Sequence, residues 1–553
     1  MPGVQRRIGA LFGVFFLLLV LAAGRTLYLG TVHSAALRRA ARSQQLTYEK
    51  VPAQRGTITD RNGVDLAISE PAQDLSATPY LIKDPLKASR QLAPLLGQTQ
   101  ARVLARLSER SGFVYLARSL PATRARQVLG LKLEGIQGTP TMRRVYPRGT
   151  LAAQVLGMVG TEGHALAGLE YSLRGVLAGK SGERRVVSDA IGQPVSIEDV
   201  HREVPGARVA LTLDANIQQR TEDVLGAVGS KFHPKDATAI VMDPNTGAIL
   251  AMANWPQANA NDPAAASPEA LENRAVGFNY EPGSTFKSMT VSAALQEGLI
   301  TPTTSFEIPN RIQVADRTIH DDTEHAGESL TTAQILAQSS NVGAVKIGLL
   351  EGAARFSRWV SRFGFGARTG VDLPGEEIGL VPSLSHYSGS SMGNLPIGQG
   401  ESVTPIQMAS AYAAIANGGI LRPPHIVGSI DGRSTRLPGG RRVISASIAA
   451  ELRHMLEGVL APGGTASEVS IPGYALAGKT GTANKVDPIT KEYSKSAYVA
   501  SFMGFAPAAN PKLLCAVIID EPQSGSIFGG VVAAPAFGQI MSFALPYLGI
   551  PPG

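Results

Sequence analysis

The residues whose side chains are best suited to catalysis are Ser284 and Lys287, which follow the helix-breaking pair Pro282–Gly283. If a helix begins at Ser284, a spacing of three places the lysine amine beside the serine hydroxyl. A serine hydroxyl is a weak nucleophile until a base takes its proton, and a desolvated lysine has the lowered pKa that such a base needs. The pair indicates nucleophilic acyl chemistry, although Ser-x-x-Lys by itself is more often an ordinary helix turn.

Two further polar motifs follow this pair along the chain. Ser339–Asn341, which reads Ser-Ser-Asn, comes after the helix-like run Ala333–Gln338. Lys479–Thr482, which reads Lys-Thr-Gly-Thr, comes after a predicted strand, Tyr474–Ala477. Alone, the first is a typical helix cap and the second a strand with a glycine bend. Together with the serine-lysine pair they supply the hydroxyl, amide and ammonium groups of one active site.

In this order and at these spacings, the three motifs resemble those of the penicillin-binding protein and serine β-lactamase superfamily. The middle motif carries Ser340 where the superfamily's usual form has Asp. The segment Met242–Met252 resembles the first strand pair of that fold. Gly398–Gly400 and Val403–Gln407 resemble its Gly-Gln-Gly segment. The likeness covers residues Arg208–Leu548.

The resemblance implies an α+β protein with a transpeptidase domain, residues 207–548, built on an antiparallel sheet with helices. A non-catalytic domain of the pedestal or dimerisation type, elongated and mixed α/β, is expected at residues 30–206. The hydrophobic pattern agrees, because strands at both ends of the second region would close one sheet from distant parts of the chain. The predicted elements are a hairpin turn at Asn62–Gly63, a helix around Leu92–Leu96, strands at Glu183–Val187, Val209–Leu213, Ala237–Asp243, Ala248–Met252, Tyr498–Ala506 and Leu513–Asp520, and a helix Ala215–Val228 capped by Asp214.

The amino-terminal half resembles the non-catalytic domain of class B penicillin-binding proteins at Arg55–Ser69, Tyr146–Pro147 and Gly168–Glu170. Nothing in the sequence resembles a glycosyltransferase domain, which disfavours the bifunctional class A proteins. Tyr498–Phe502 and Gly529–Pro535 resemble the division-specific, FtsI-type branch more than the elongation-specific one. The elongation-specific branch stays the alternative.

The same resemblance implies acyl transfer in two steps. Ser284 would attack the carbonyl of the penultimate D-alanine of a peptidoglycan stem peptide, with Lys287 as its base. Ser339 would pass a proton to the leaving D-alanine, and Asn341 would position the substrate amide and Lys287. Lys479 would add positive charge near Ser339 and near the terminal carboxylate.

The Lys-Thr-Gly-Thr motif would bind substrate through Thr480, Gly481 and Thr482. The two threonines are expected to hydrogen-bond the terminal carboxylate, and Gly481 would let the ligand approach the strand edge. The backbone N–H groups of Ser284 and Thr482 would form the oxyanion hole, where one donor contributes about 3–4 kcal/mol. β-Lactam antibiotics would mimic the D-Ala-D-Ala end and stay attached to Ser284.

The amino terminus predicts a membrane anchor. The run Ile8–Leu29 has about the 20 residues that a spanning helix needs, and Arg25 near its end can reach the interface. Two arginines in the tail 1–7 predict a cytoplasmic start, with the remainder on the periplasmic or extracytoplasmic side of the cytoplasmic (inner) membrane. A helical stalk is expected between Thr31 and Gln45, and no second spanning segment. A cleaved signal peptide ending near Leu21–Ala23 is the alternative.

Composition and charge limit the classes of molecule that this protein is expected to bind. The 553 residues carry a formal net charge of +7, which suits an anionic partner, but no nucleic-acid-binding motif is present. The one cysteine, Cys515, lies in an apolar run and is expected in a buried strand. Expected partners are stem peptides, β-lactams, a membrane-embedded glycan polymerase and other division proteins.

No cofactor and no metal are expected. The cluster of His320, Asp321, Asp322, Glu324 and His325 is interpreted as a solvated acidic loop near the active-site rim, with a metal site as the alternative. Two other functions stay open. A β-lactamase would need a fast deacylating water, and a non-catalytic protein could sense β-lactams or serve as a scaffold.

Overall fold

The computed structural model describes residues 2–31, 46–188, 194–436, 438–487, 489–490 and 492–552. Contacts divide the chain into two compact units. The smaller unit comprises Met1–Gln54, Pro71–Met142 and Gly179–Gly206, and the larger unit comprises Arg55–Glu70, Arg143–Ala178 and Ala207–Gly553. Two segments before residue 207 thus belong to the larger unit by their contacts. Where the functional domains divide stays a prediction.

The smaller unit begins with the helix Pro2–Thr31. Its part Val4–Thr31 is long and apolar enough to span a membrane, and none of its apolar stretch is buried within the protein. This agrees with the predicted anchor. The predicted stalk between Thr31 and Gln45 lies outside the described residues.

The rest of the smaller unit contains two groups of strands. An antiparallel sheet has the order Leu46–Val51, Gly182–Ser188, Pro194–His201. Elsewhere the strand Val114–Pro121 pairs with the second half of the strand Asp65–Ala77. Three helices, Pro85–Leu96, Gln100–Leu107 and Ala122–Gly130, pack on this second pair around a core of Leu75, Leu92, Val103, Leu107, Leu116 and Val128. The helix predicted at Leu92–Leu96 and the strand predicted at Glu183–Val187 are confirmed.

The larger unit is built on one five-stranded antiparallel sheet. We label its strands in chain order: β1 (Asp236–Met242), β2 (Ile249–Trp255), β3 (Ala477–Val486), β4 (Tyr493–Ala506) and β5 (Leu513–Asp520). Their spatial order is β2-β1-β5-β4-β3, so strands from both ends of the unit close the sheet, as predicted. Cys515 is fully buried in β5, also as predicted.

One predicted strand is wrong. The strand expected at Tyr474–Ala477 starts only at Ala477, and the Lys-Thr-Gly-Thr motif lies inside it rather than after it. The motif is therefore part of β3, which is the edge strand next to β4.

Helices dominate the chain between the two halves of the sheet. Asp214 caps the helix Ala215–Phe232 by accepting hydrogen bonds from the backbone N–H groups of Asn216 and Ile217. The helices of the larger unit are Ala153–Leu156, Gly168–Ser172, Arg174–Leu177, Ala215–Phe232, Pro268–Leu271, Arg274–Gly277, Lys287–Gln296, Thr332–Gln338, Asn341–Glu351, Ala353–Arg362, Ser391–Asn394, Pro405–Ala416, Ala446–Glu457 and Gly529–Tyr547. Its short strands include Ile58–Thr59, Val209–Leu211, Ser305–Ile308, Arg311–Val314, Arg317–His320, Glu328–Thr331, Ile420–Leu421, Val427–Ile430, Arg433–Ser434 and Arg441–Arg442. The strand Ile136–Val145 pairs with the strand Asp65–Ala77.

The last of these helices, Gly529–Tyr547, is also long and apolar enough to span a membrane by length and composition. The sequence reading overlooked it. In the structure 61% of its apolar window is buried, because it packs against β4 and β5. It serves as a core helix of the larger unit.

The segments that carried the class B resemblance meet in the larger unit. Glu170 is fully buried. Its carboxylate accepts a hydrogen bond from Arg55 and another from the Nε of Arg144 at 2.6 Å. Asn62–Gly63 turns the hairpin in which Ile58 pairs with Ala67. Loss of one partner would leave a buried charge uncompensated, which costs about 3–5 kcal/mol. This ion cluster therefore fixes the segment Arg55–Ser69 against the segment Gly168–Glu170.

Glu351, at the end of the helix Asn341–Glu351, makes stability depend on pH. Its side chain is buried and neither carboxyl oxygen has a partner. Burial, and then the charge of Glu297, raise the pKa of Glu351 from 4.5 to about 8. The folded state therefore keeps a proton that the unfolded state loses above pH 4.5, and stability falls by about 1.4 kcal/mol per pH unit until about pH 8. We expect Glu351→Gln to become progressively more stable than the unaltered protein as pH rises from 5.5 to 8.

Thermal unfolding of the full chain in detergent at both pH values measures this difference. The matched control is Glu468→Gln, which changes an exposed carboxylate. An equal shift of the unfolding temperature at both pH values for Glu351→Gln would contradict the argument.

Candidate active site

The segment that carries Ser284 is a single 3₁₀ turn, Gly283–Phe286. The α-helix begins at Lys287 and not at Ser284, which corrects the predicted helix start. Gly283 has φ +54°, a left-handed conformation that glycine adopts without strain. Ser284 is half-buried, and among the described residues its hydroxyl makes no hydrogen bond. The hydroxyl is thus held at the start of the helix with no internal partner to compete for it.

Lys287 joins the first two motifs. Its side chain is fully buried, and its Nζ donates to the carbonyl of Ser339 at 2.5 Å and to Oδ1 of Asn341 at 2.6 Å. The Oγ of Ser339 lies 3.3 Å from the same nitrogen. Burial lowers the pKa of Lys287 to about 8, although the carboxylates of Asp322 and Asp321 oppose this shift. The structure records no direct hydrogen bond between Lys287 and Ser284 in the described part of the chain.

Ser339 owes its position to an unusual backbone turn. It ends the helix Thr332–Gln338 with φ +65°, the left-handed conformation that non-glycine residues rarely adopt. Ser340 then caps the helix Asn341–Glu351 and accepts from the N–H of Gly343. Residues held in such a conformation often belong to functional sites. Here the turn places the carbonyl and hydroxyl of Ser339 on the amine of Lys287.

Asp321 is a residue of this site that sequence reasoning missed. Its carboxylate accepts from the hydroxyl of Ser340 at 2.9 Å, from the N–H of Val342 at 3.0 Å and from the N–H of Asn341. The Asp321 side chain is only 11% exposed, so the expectation of a solvated acidic loop is wrong for this residue. A carboxylate at this helix N-terminus also interacts favourably with the helix dipole.

The neighbours of Asp321 orient Asn341. The Nδ2 of Asn341 donates to the carbonyl of His320 at 3.0 Å and to Asp322 at 3.3 Å, which leaves its Oδ1 facing Lys287. His325 contacts Asp321 at 3.2 Å. The described residues contain no group of three or more His, Cys, Asp or Glu side chains that could hold a metal ion.

The third motif lies on the edge strand β3. Lys479 is fully buried, and its Nζ donates to the carbonyl of Thr480 at 3.2 Å. Burial, together with the nearby charge of Lys287, lowers the pKa of Lys479 well below its usual range. The Oγ1 of Thr480 shares a hydrogen bond of 2.7 Å with Thr465, and the Oγ1 of Thr482 accepts from the N–H of Gly529. Thr465 was not anticipated, because it lies outside every motif.

Gly481 explains how the strand and the serine turn come together. A Cβ atom at Gly481 would lie 2.9 Å from Cγ2 of Thr285 and 3.1 Å from the carbonyl oxygen of Pro282. Only a residue without a side chain lets the two backbones approach this closely. The serine turn therefore packs directly on the segment Lys479–Thr482, and all three motifs belong to one site.

Glu281 connects the serine turn to the Gly-Gln-Gly segment. Its Oε1 accepts from the N–H of Gly400 at 3.0 Å and from the hydroxyl of Tyr493 at 3.3 Å. The N–H of Gly283 donates to the carbonyl of Gly398. Burial raises the pKa of Glu281 to about 7. The segment is thus fixed behind the serine turn, a role that the sequence did not reveal.

Comparison with known proteins decides the family. The model of the penicillin-binding protein transpeptidase domain matches residues 237–542, and that of the penicillin-binding protein dimerisation domain matches residues 50–211. The chain belongs to the class B penicillin-binding proteins. This class B protein is 35% identical to penicillin-binding protein PbpB of Mycobacterium tuberculosis, over 97% of this chain and 84% of the relative. It is also 35% identical to peptidoglycan D,D-transpeptidase FtsI of Escherichia coli, over 99% of this chain and 93% of the relative.

Solved structures give the same result. The crystal structure of penicillin-binding protein 3 from Mycobacterium tuberculosis, complexed with aztreonam, has a TM-score of 0.72 and 32% sequence identity to this class B protein. The match covers 91% of this chain and 98% of that one. The predicted fold class and family are therefore confirmed. The roles assigned to individual residues stay predictions.

Proposed function

We propose that this class B penicillin-binding protein is a peptidoglycan D,D-transpeptidase that cross-links stem peptides through an acyl-enzyme on Ser284. The observation that carries the proposal is the buried amine of Lys287, one helical turn after Ser284 and hydrogen-bonded to Ser339 and Asn341. A buried amine with a lowered pKa, three residues after an unpaired hydroxyl, is the arrangement that serine acyl transfer needs.

Acylation is the first step. Neutral Lys287 takes the proton of Ser284 while the serine oxygen attacks the carbonyl of the penultimate D-alanine. The C–N bond to the terminal D-alanine then breaks, and the leaving nitrogen receives a proton through the hydroxyl of Ser339. Asn341 holds the amine of Lys287 and the substrate amide in place.

The edge strand β3 would bind the donor peptide. The amine of Lys479, which the bound carboxylate would hold in its charged form, and the hydroxyls of Thr480 and Thr482 would bind the terminal carboxylate. Gly481 keeps this strand in close contact with the serine turn. The N–H groups of Ser284 and Thr482 would stabilise the oxyanion. In the second step the amine of a neighbouring stem peptide attacks the ester, and Ser284 is released.

The names of the relatives support a proposal for the biological setting. Those described here are named PbpB and FtsI, and the structural neighbour binds aztreonam. We therefore place this protein at the division septum and among the targets of β-lactams. The apolar helix Val4–Thr31 would anchor it in the cytoplasmic membrane, with the catalytic unit on the outer side and with a lipid-linked glycan polymerase and division proteins as partners.

Covalent labelling tests the catalytic proposal. The purified full chain in detergent should react with a fluorescent penicillin, and its intact mass should increase by one penicillin. Failure of the folded protein to form this adduct would overturn the proposal. Depletion in cells tests the setting, since loss of a septal enzyme gives filaments, whereas loss of an elongation enzyme gives rounded cells.

The pKa of Lys287 predicts a pH dependence of acylation. Only the neutral amine can accept a proton, so the second-order rate of penicillin acylation should rise about tenfold per pH unit below pH 8. It should level off above pH 8, where the base is fully deprotonated. Stopped-flow acylation by a chromogenic cephalosporin between pH 6 and 10 measures the profile. A rate that does not change with pH would show that Lys287 is not the base.

A further inference from the structure

A cavity of about 280 Å³ in the larger unit is lined by no residue of the three motifs. Its walls come from the end of the helix Ala353–Arg362 and the chain that follows it, from the helix Pro405–Ala416 and from the hairpin in which Leu421 pairs with Arg441. Gln407 closes one side, with its amide bound to the carbonyls of Ala367 and Ile378. The cavity is therefore a built feature of the fold and not a gap between loose side chains.

The charge of this cavity has one sign. Arg368, Arg422 and Arg441 line it, and none of the described lining residues is acidic. A fourth guanidinium, that of Arg362, is close enough to lower the pKa of Arg441 further after burial has done so. Arg362, Arg368 and Arg441 are exposed to solvent, and a bound anion would reduce the repulsion between their charges.

No salt bridge in the part of the chain that the structure describes neutralises these arginines. The Nε of Arg368 donates to the backbone carbonyl of Glu376, whose carboxylate is already bonded to Thr369 and Gly370. The guanidinium groups of this cluster therefore retain N–H donors that are available to a ligand.

Arg422 provides a second and independent observation. Its Nε is buried and has no hydrogen-bond partner. Buried polar groups in folded proteins are normally paired with protein, water or a ligand. This unpaired donor belongs to an arginine that lines the cavity, so it is available to an acceptor bound there.

We infer that this cavity binds a phosphate group through Arg368, Arg422 and Arg441. The planar guanidinium fork matches phosphate oxygens in a bidentate way, and the lining hydroxyl of Ser361 is a further donor. The hydroxyl of Thr369 already donates to Glu376 and is not counted among the donors. Two sources share this chemistry, a free phosphate ion and a phosphodiester such as a lipid head group, and the probes below distinguish them. This inference goes beyond cross-linking and does not depend on the proposed function.

Isothermal titration of the full chain in detergent tests the site. The probes are inorganic phosphate and glycerophosphoglycerol, the soluble head group of phosphatidylglycerol, with chloride and acetate at equal ionic strength. We expect saturable binding of phosphate, weakened at least about tenfold by Arg422→Gln and by Arg441→Gln. The control Arg433→Gln, which changes an exposed arginine outside the cavity, should bind as the unaltered protein does.

Each result has a defined meaning. Binding of inorganic phosphate supports a free phosphate source, and binding of glycerophosphoglycerol alone supports a phosphodiester source. The inference is overturned if neither probe exceeds chloride, if acetate binds as tightly as phosphate, or if Arg422→Gln and Arg441→Gln bind normally. Thermal unfolding without ligand verifies that the variants are folded, which we expect because each removes one of several mutually repelling charges.

Discussion

Ser284→Ala should reduce labelling by penicillin to background and stop release of D-alanine from a stem-peptide substrate. The reason is that the ester bond of the acyl-enzyme has no other oxygen to form on, since Ser284 is the hydroxyl at the serine turn that makes no internal hydrogen bond in the described structure. We expect a loss of at least about a thousandfold in the acylation rate. Gel fluorescence and intact-mass measurement follow the adduct directly.

Ser292→Ala is the matched control for this experiment. Ser292 lies in the same helix, Lys287–Gln296, and its hydroxyl only donates to the carbonyl of Met289. Its loss should leave labelling nearly unchanged. Adduct formation by Ser284→Ala at the unaltered rate would refute the assignment of the nucleophile, whatever the family of the protein.

Lys287→Met has the second largest expected effect. Methionine keeps the length of the side chain but cannot take a proton, so acylation should slow by about 10²–10⁴-fold. The inflection of the rate near pH 8 should also disappear, because that inflection belongs to the lysine. A purely structural role would lower the rate without removing the pH dependence, so the profile separates the two explanations.

Lys346→Met serves as the control for this substitution. Lys346 lies in the helix Asn341–Glu351, where its amine contacts the carbonyl of Glu307. The acylation rate should be little affected. If Lys287→Met retains the inflection near pH 8, another group acts as the base, and Lys479 is then the first to test.

The sequence was sufficient to predict most of the central sheet. β1, β2, β4 and β5 contain apolar runs long enough to be recognised as buried strands. β3 was misplaced, because Lys-Thr-Gly-Thr is polar and contains glycine, which is typical of a turn. Its strand conformation depends on pairing with β4 and on the close contact with the serine turn, and neither is visible in the local sequence.

In the active site, too, the local sequence predicted some contacts, and others depend on distant parts of the chain. Helical spacing predicted that the amine of Lys287 lies beside the hydroxyl of Ser284. In the structure this amine instead donates hydrogen bonds to Ser339 and Asn341. That contact requires a left-handed serine, for which the sequence has no signal, since glycine or asparagine is usual there. Asp321 was interpreted only as a loop residue, because its partners Asn341 and Val342 come from another element of the fold.

The left-handed backbone at Ser339 determines how its hydroxyl can be studied. Alanine would delete the hydroxyl and retain the unfavourable conformation, whereas glycine would delete the same hydroxyl and relax the backbone by about 1 kcal/mol. A comparison of Ser339→Ala with Ser339→Gly thus separates the chemistry of the oxygen from the geometry of the turn. If the glycine variant is more stable than the alanine variant but acylates equally slowly, the left-handed turn lowers thermal stability in order to fix the position of one oxygen atom.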